Sequence, residues 1–79
     1  MDRYHATTAL PYVHLHRATA ELQGKLRRRL VDGGVAFPDW TTLRVIGPFE
    51  VFDERGGVCF QYHASVRCRA VPEHAAAVV

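Results

Sequence analysis

The chain has 79 residues, of which 48% are apolar and 23% are charged, and its formal net charge is +2. These values exclude an intrinsically disordered chain, a collagen-like chain and a strongly cationic tail, and they predict one small domain over residues 1–79. Apolar runs are too short to span a bilayer, and Asp2, Arg3 and Arg17 interrupt the stretch that a signal peptide would need. We therefore predict a cytoplasmic protein with no membrane partner, with a flexible tail over residues 72–79.

Residues 4–16 allow two interpretations. An apolar spacing of three and four residues extends the following helix back to Pro11, a residue that is favoured in the first helical turn. The alternation of Val13 and Leu15 with His14 and His16 is instead typical of a short strand entered through Pro11. Both a βαββ order and an αββ order therefore stay open.

An amphipathic helix is predicted next in the chain. Leu22, Leu26 and Leu30 recur every four residues, and Gly33 and Gly34 follow as a glycine C-cap. Gly24 inside this helix costs about 1 kcal/mol relative to alanine. We predict that its missing side chain lets the helix lie close to a sheet.

The C-terminal half predicts an antiparallel hairpin. Over residues 58–70 apolar side chains alternate with Gln61, His63 and other polar residues, which indicates a half-buried strand. The strand before it is expected to have one apolar face, formed by Leu43, Val45, Phe49 and Val51. Residues 53–57 are charged or glycine and form the turn. Gly47-Pro48 predicts either a bulge or a position where the proline nitrogen points away from the partner strand.

The length of the last strand bears on assembly. Thirteen residues span about 43 Å, whereas a 79-residue globule is only about 30 Å across. The strand must either bend around the helix or extend past the protomer. Both outcomes predict a homo-oligomer, because a long unpaired strand edge promotes association.

Several short motifs carry a family resemblance. They are Asp39-Trp40 before a strand, Ile46-Gly47, Gly57-Val58, Phe60-Gln61 and the stretch from Val66 to Arg69. Over residues 39–70 the chain thereby resembles the dodecins, which are small flavin-binding proteins. The resemblance implies a strand-helix-strand-strand protomer, long strands that wrap the helix, and assembly of twelve copies. It also implies that Trp40 stacks on a flavin and that Gln61 hydrogen-bonds the polar edge of the flavin ring.

The alternation of apolar and polar residues predicts which sheet face Trp40 and Gln61 occupy. Trp40 shares the phase of Arg44, and Gln61 shares the phase of His63, so we expect both on the sheet face that the helix does not cover. A large aromatic there needs a flat ligand or a neighbouring subunit to cover it. The other interpretations are a Trp40 that anchors the start of the strand and a solvated Gln61. We predict a non-enzymatic oligomeric binding protein for a flat aromatic ligand, FMN or riboflavin.

An alternative function uses the basic residues of the hairpin. Arg44, Arg67 and Arg69 would place positive charge on the uncovered sheet face, as in a module that binds nucleic acid or a protein partner. The net charge of +2 makes nucleic acid the less favoured partner. No metal is predicted, because His14 and His16 lack cysteine or carboxylate partners at ligand spacing. No catalytic triad can be assembled, so we expect no enzyme activity.

Overall fold

A computed structural model describes residues 2–70 of the chain. The elements are β1 (Asp2–Leu10), α1 (Leu15–Arg27), a π-helical turn (Arg28–Asp32), β2 (Ala36–Phe52) and β3 (Val58–Ala70). The strands form one antiparallel sheet in the order β1-β3-β2, and α1 packs on one face. This confirms the predicted α+β protomer, with the βαββ order of the two left open. The tail predicted for residues 72–79 lies outside the described residues.

The N-terminal segment differs from both sequence interpretations. The strand ends at Leu10, before Pro11, and the helix begins only at Leu15. Neither a strand through Val13 nor a helix from Pro11 is present, so both predictions were wrong in their bounds. The helix begins late because the Nδ1 atom of His14 accepts a hydrogen bond from the backbone N–H of Arg17 at 3.0 Å, and His14 thereby acts as the N-cap.

The core lies between α1 and the central strand β3. The predicted leucine stripe is confirmed, since Leu22, Leu26 and Leu30 are fully buried. The other buried side chains of the core come from alternate positions of β3 and from three further sites; they are Tyr62, Ala64, Val66, Cys68, Leu10, Ala18 and Ala36. Full burial of one such side chain contributes roughly 2 kcal/mol. The hydroxyl oxygen of Tyr62 accepts a hydrogen bond from the backbone N–H of His14 at 3.0 Å and so ties the β1–α1 connection to the sheet.

The two predictions about helix glycines have different outcomes. The C-cap is confirmed, because Gly34 has a φ of +67° and terminates the π-helical turn that carries the buried Leu30. The prediction for Gly24 was wrong. A Cβ atom at Gly24 would meet no heavy atom within 4 Å, so this glycine does not lie against the sheet.

Two bulges interrupt β2. Between Asp39 and Arg44, residues 40–43 lie opposite the single residue Val66 of β3. The second bulge is the predicted one at Gly47-Pro48, and it lies opposite Tyr62. Gly47 has a φ of +134°, and a Cβ atom there would lie 2.7 Å from the carbonyl oxygen of Gln61. This position therefore requires glycine.

The bulges change which side chains of β2 face the helix. Leu43 and Val45 pack against the core as expected. Phe49 and Val51, predicted on the same face, lie opposite Gln61 and Cys59 and therefore point away from the helix. The extra residue at Gly47-Pro48 reverses the alternation of every residue after it. We call the sheet face opposite α1 the uncovered face.

The hairpin is longer than the helix that covers it. The molecule measures 53 × 24 × 17 Å, and its longest axis matches the 17 residues of β2, which span about 56 Å. The helix and its π-helical turn span about 27 Å and cover about half of that length. Residues 49–59, here called the hairpin arm, project past the helix. The prediction concerned β3, whose 13 residues span about 43 Å, more than the globule of about 30 Å that the chain length predicts. The molecule is itself elongated to 53 Å, so β3 stays within it and the homo-oligomer stays a prediction.

The two edge strands of the sheet differ in whether side chains bond to their outer backbone groups. At β1, Lys25 Nζ donates a hydrogen bond to the carbonyl oxygen of Thr7 at 2.8 Å, and Arg29 donates to the carbonyl oxygen of His5. Among the described residues, no side chain caps the backbone of β2 between Leu43 and Phe52 in the same way. Within the part of the chain that the structure describes, the edge of β2 is therefore the one open to pairing. Within residues 2–70, neither helical segment has the length and apolarity to cross a bilayer.

Candidate ligand-binding site

Trp40 lies on the helix side of the sheet. It is half-buried, packs against the core, and has the guanidinium carbon of Arg27 5.9 Å from its ring centroid. The prediction that Trp40 lies on the uncovered face was wrong, because the bulge at residues 40–43 reverses the alternation between Trp40 and Arg44. Trp40 packs on the core as an anchor would, but β2 begins at Ala36, so the prediction that Trp40 lies at the start of the strand was wrong. Its contact with a flavin stays a prediction.

Gln61 lies on the uncovered face, as predicted. It is half-buried and lies between Ala9 of β1 and Phe49 of β2. Trp40 lies beside Val66, five residues further along β3, which corresponds to about 17 Å. One protomer therefore does not bring Trp40 and Gln61 together, since they are separated along the strand and point to opposite faces.

The neighbours of Gln61 form a small aromatic surface. The rings of Phe49 and His63 meet edge to face, with centroids 5.5 Å apart. Ile46 lies opposite His63 and is 58% exposed, and Phe49 is 46% exposed. This surface was missed in the sequence, because Phe49 reaches the uncovered face only through the bulge at Gly47-Pro48. A flat ring placed on it would cover apolar side chains and meet the Gln61 amide at its edge.

A basic groove adjoins the aromatic surface. Arg3 of β1 lies directly opposite Arg67 of β3, and Arg44 of β2 lies opposite Ser65. The groove has two parts, of about 260 and 400 Å³, and Arg3 and Arg44 line both of them. The smaller part also contacts Ile46 and His63. Aromatic surface and basic groove are therefore continuous.

Only two of the three arginines predicted from the sequence lie in the basic groove. Arg44 and Arg67 line the groove, whereas Arg69 lies opposite Phe37 and beside Asp39. Arg3 was missed, because β1 had no clear apolar pattern in the sequence. In the described part of the chain the only ion pair joins Arg17 to Glu21, at 3.8 Å, so no carboxylate pairs with a groove arginine.

Asp39 holds the bulge that borders the groove. Its carboxylate accepts hydrogen bonds from the Thr41 hydroxyl at 2.6 Å and the Thr41 backbone N–H at 3.1 Å, and these bonds, with a smaller contribution from Arg69, lower the pKa of Asp39. The Thr42 hydroxyl donates to the Asp39 carbonyl oxygen at 2.7 Å and accepts from the Arg67 backbone N–H at 2.9 Å. These bonds join the bulge to β3 beside Arg67.

The side chains of His14 and Cys68 have structural roles. His14 caps α1, and within residues 2–70 no group of three His, Cys, Asp or Glu side chains is placed to hold a metal ion. Cys68 is buried in the core, and desolvation raises the pKa of its thiol.

The chain matches no protein-family model, and neither the curated proteins nor the solved structures compared with it contain a match. The function is therefore inferred from the geometry of the uncovered face.

Proposed function

We propose that this protein is a non-enzymatic, self-associating binding protein for a flat aromatic ligand. The ring of the ligand lies on Ile46, Phe49 and His63, and Gln61 is its polar partner. The observation that carries this proposal is the contact of the exposed Phe49 with His63 beside the half-buried Gln61 amide, on the sheet face opposite α1. Sites for small aromatic molecules combine such apolar surface with a few fixed polar groups. The dodecin resemblance favours a flavin, FMN or riboflavin, as the ligand.

Self-association is proposed because the hairpin arm exposes large apolar side chains on both faces. On its helix side Phe52 is 73% exposed and Val58 is 41% exposed, while Phe49 is exposed on the other side. An isolated two-stranded ribbon has marginal stability in water, so a second copy that covers the arm would stabilise it. The open edge of β2 offers the backbone groups for pairing.

A second copy would also complete the ligand site. A ring that lies on one sheet face leaves its other side in water, and the uncovered face of a neighbouring protomer would bury that side. Trp40 would contribute to the ligand only from a neighbouring protomer, because Trp40 and Gln61 of one protomer point to opposite faces.

The proposal is tested by titrating FMN and riboflavin with the purified protein and measuring the fluorescence anisotropy of the ligand. We expect saturable binding at micromolar protein, weakened about fivefold or more by Phe49→Ala, since removal of a contacting aromatic costs about 1–3 kcal/mol. Val31→Ala, which truncates an exposed apolar side chain of the π-helical turn, is the matched control and should leave affinity unchanged. Absence of binding for both flavins would refute the proposal.

An interaction module for nucleic acid is the second candidate, favoured by guanidinium groups on the uncovered face that form no ion pair within residues 2–70. Of the three arginines proposed for it, only Arg44 and Arg67 lie in the groove, and Arg69 lies beside the carboxylate of Asp39. A duplex backbone requires cations along its length, whereas this face concentrates them in one groove. The geometry therefore favours a small ligand.

A further inference from the structure

The uncovered face holds a cross-strand pair of like charge. Arg3 and Arg67 are direct partners in the β1–β3 ladder, a position where the Cβ atoms of neighbours lie about 5 Å apart. Like charges directly opposite one another destabilise a sheet. Arg44 lies on the other side of β3, opposite Ser65, and faces the same groove. Three arginines thus line one cavity beside Ser65.

The groups that the structure describes around the arginines form no ion pair with them. Arg3 Nη1 donates a hydrogen bond to the Ser65 hydroxyl at 3.1 Å, which positions the guanidinium but adds no negative charge. Asp39 is the acidic residue that pairs with Arg67 in register, yet its side chain bonds to Thr41. Among residues 2–70, no carboxylate lies within ion-pair distance of a groove arginine. In residues 2–70 the charge of the three arginines is therefore left to solvent screening.

The bulge of β2 gives the cluster its concave shape. Residues 40–43 lie opposite Val66 alone, so β2 bends away from β3 beside Arg67. The resulting cavity of about 400 Å³ is lined by the three arginines and by Thr41, Thr42 and Leu43. The hydrogen bond from the Arg67 backbone N–H to the Thr42 hydroxyl holds the bulge in place. Bulges commonly occur beside binding sites, where they redirect a side chain.

We infer that Arg3, Arg44 and Arg67 form a binding site for a phosphate group. Guanidinium groups bind phosphate through paired, charge-assisted hydrogen bonds, and an anion between the strands would turn the Arg3–Arg67 repulsion into attraction. The phosphate is either free in solution or part of a larger ligand. The adjoining part of the groove contacts Ile46 and His63, so a phosphate monoester of an aromatic molecule could occupy both parts at once. Only this last statement rests on the proposed function; the phosphate site does not.

The site is tested first with inorganic pyrophosphate and phosphate, measured by isothermal titration calorimetry and by the shift in thermal unfolding. We expect saturable binding of pyrophosphate that weakens about tenfold or more in Arg44→Gln and in Arg67→Gln, because each variant removes one charge-assisted contact. Arg69→Gln, which removes a charge from the same face outside the groove, is the control and should retain binding. Circular dichroism of each variant verifies the fold. Absence of binding to the wild-type protein, or equal loss in Arg69→Gln, would overturn the inference.

A comparison of FMN with riboflavin then identifies the source of the phosphate. Tighter binding of FMN by about tenfold, with the preference lost in Arg44→Gln, assigns the site to a phosphorylated aromatic ligand. If the protein binds pyrophosphate but neither flavin, the site is supported as one for free phosphate. That result refutes only the proposed function and leaves the phosphate site intact. The protein could instead bind a duplex oligonucleotide with an affinity that falls steeply with salt and that pyrophosphate does not reduce. That result would overturn the inference in favour of nucleic acid.

Discussion

Lys25 Nζ donates a hydrogen bond to the backbone carbonyl oxygen of Thr7, 2.8 Å away, so a helix side chain covers the outer edge of β1. Arg29 makes the corresponding bond to the carbonyl oxygen of His5 one helical turn later. The helix therefore stabilises β1 through its core face and through two cations at its side. Among residues 2–70, these bonds leave the outer edge of β2 as the one to which another chain can add.

We predict that removing both cations opens the edge of β1 to association. The double variant Lys25→Ala/Arg29→Ala should form larger and more heterogeneous species than the wild type, measured by size-exclusion chromatography with light scattering. Arg28→Ala, which removes a neighbouring charge for which no bond to β1 is seen, is the control. An unchanged mass distribution in the double variant would show that these bonds do not protect the edge.

A charge placed on the hairpin arm should reduce self-association. Phe52 is 73% exposed in the protomer, and burial of such a ring in an interface contributes about 2–3 kcal/mol. Phe52→Asp should therefore raise the dissociation constant of the assembly by about 30-fold or more, measured by native mass spectrometry over a dilution series. Val31→Asp places the same charge at an exposed apolar position of the π-helical turn and should have no such effect. Equal masses for wild type and Phe52→Asp would contradict this interface.

Gly24→Ala should stabilise the protomer. The helical backbone accepts alanine, and the new methyl group would meet no heavy atom within 4 Å. The expected gain is up to about 1 kcal/mol, which corresponds to about 4–8 °C in the midpoint of thermal unfolding for a domain of this size. Gly34→Ala is the contrasting variant and should destabilise, because Gly34 has a φ of +67°. A lower midpoint for Gly24→Ala would show that the open space beside the helix is needed for the fold or for assembly.

The hydrogen bonds of Asp39 predict a pH dependence. Because the pKa of Asp39 is lower in the folded state than the ordinary value of 3.8, its contribution to stability is present above pH 3.8 and is lost as the pH falls through the folded value. Asp39→Asn should be less stable than the wild type at pH 6, and the difference should shrink below pH 3.8. Urea unfolding at both pH values measures this difference. A difference that is independent of pH would show that the ionised carboxylate does not hold the bulge.

The regular parts of the fold could be predicted from the sequence, and the irregular parts could not. The leucine stripe of α1 and the alternation of β3 were clear, because each follows one period over its full length. In β1 the helix-facing side chains include Ala6 and Thr8, which are too weakly apolar to mark a strand. Thr8 is nevertheless buried, because its hydroxyl donates a hydrogen bond to Glu21 at 2.9 Å.

The candidate site was only partly predictable for the same reason. Gln61 lies on the expected face because β3 has no bulge. Trp40 and Phe49 both lie on the face opposite to the expected one, because a bulge in β2 reverses alternation and its position depends on pairing with β3. The basic groove requires Arg3, and its position next to Arg67 follows only from the pairing of the first and last strands.

The most direct test of the proposed ligand site is a crystal structure of the protein grown in the presence of FMN. We expect the isoalloxazine ring on the uncovered face, in contact with Phe49 and His63, with the Gln61 amide at its polar edge. A protein crystallised with FMN that leaves this face empty, or that holds the ring on the helix side against Trp40 of the same protomer, would contradict the proposal.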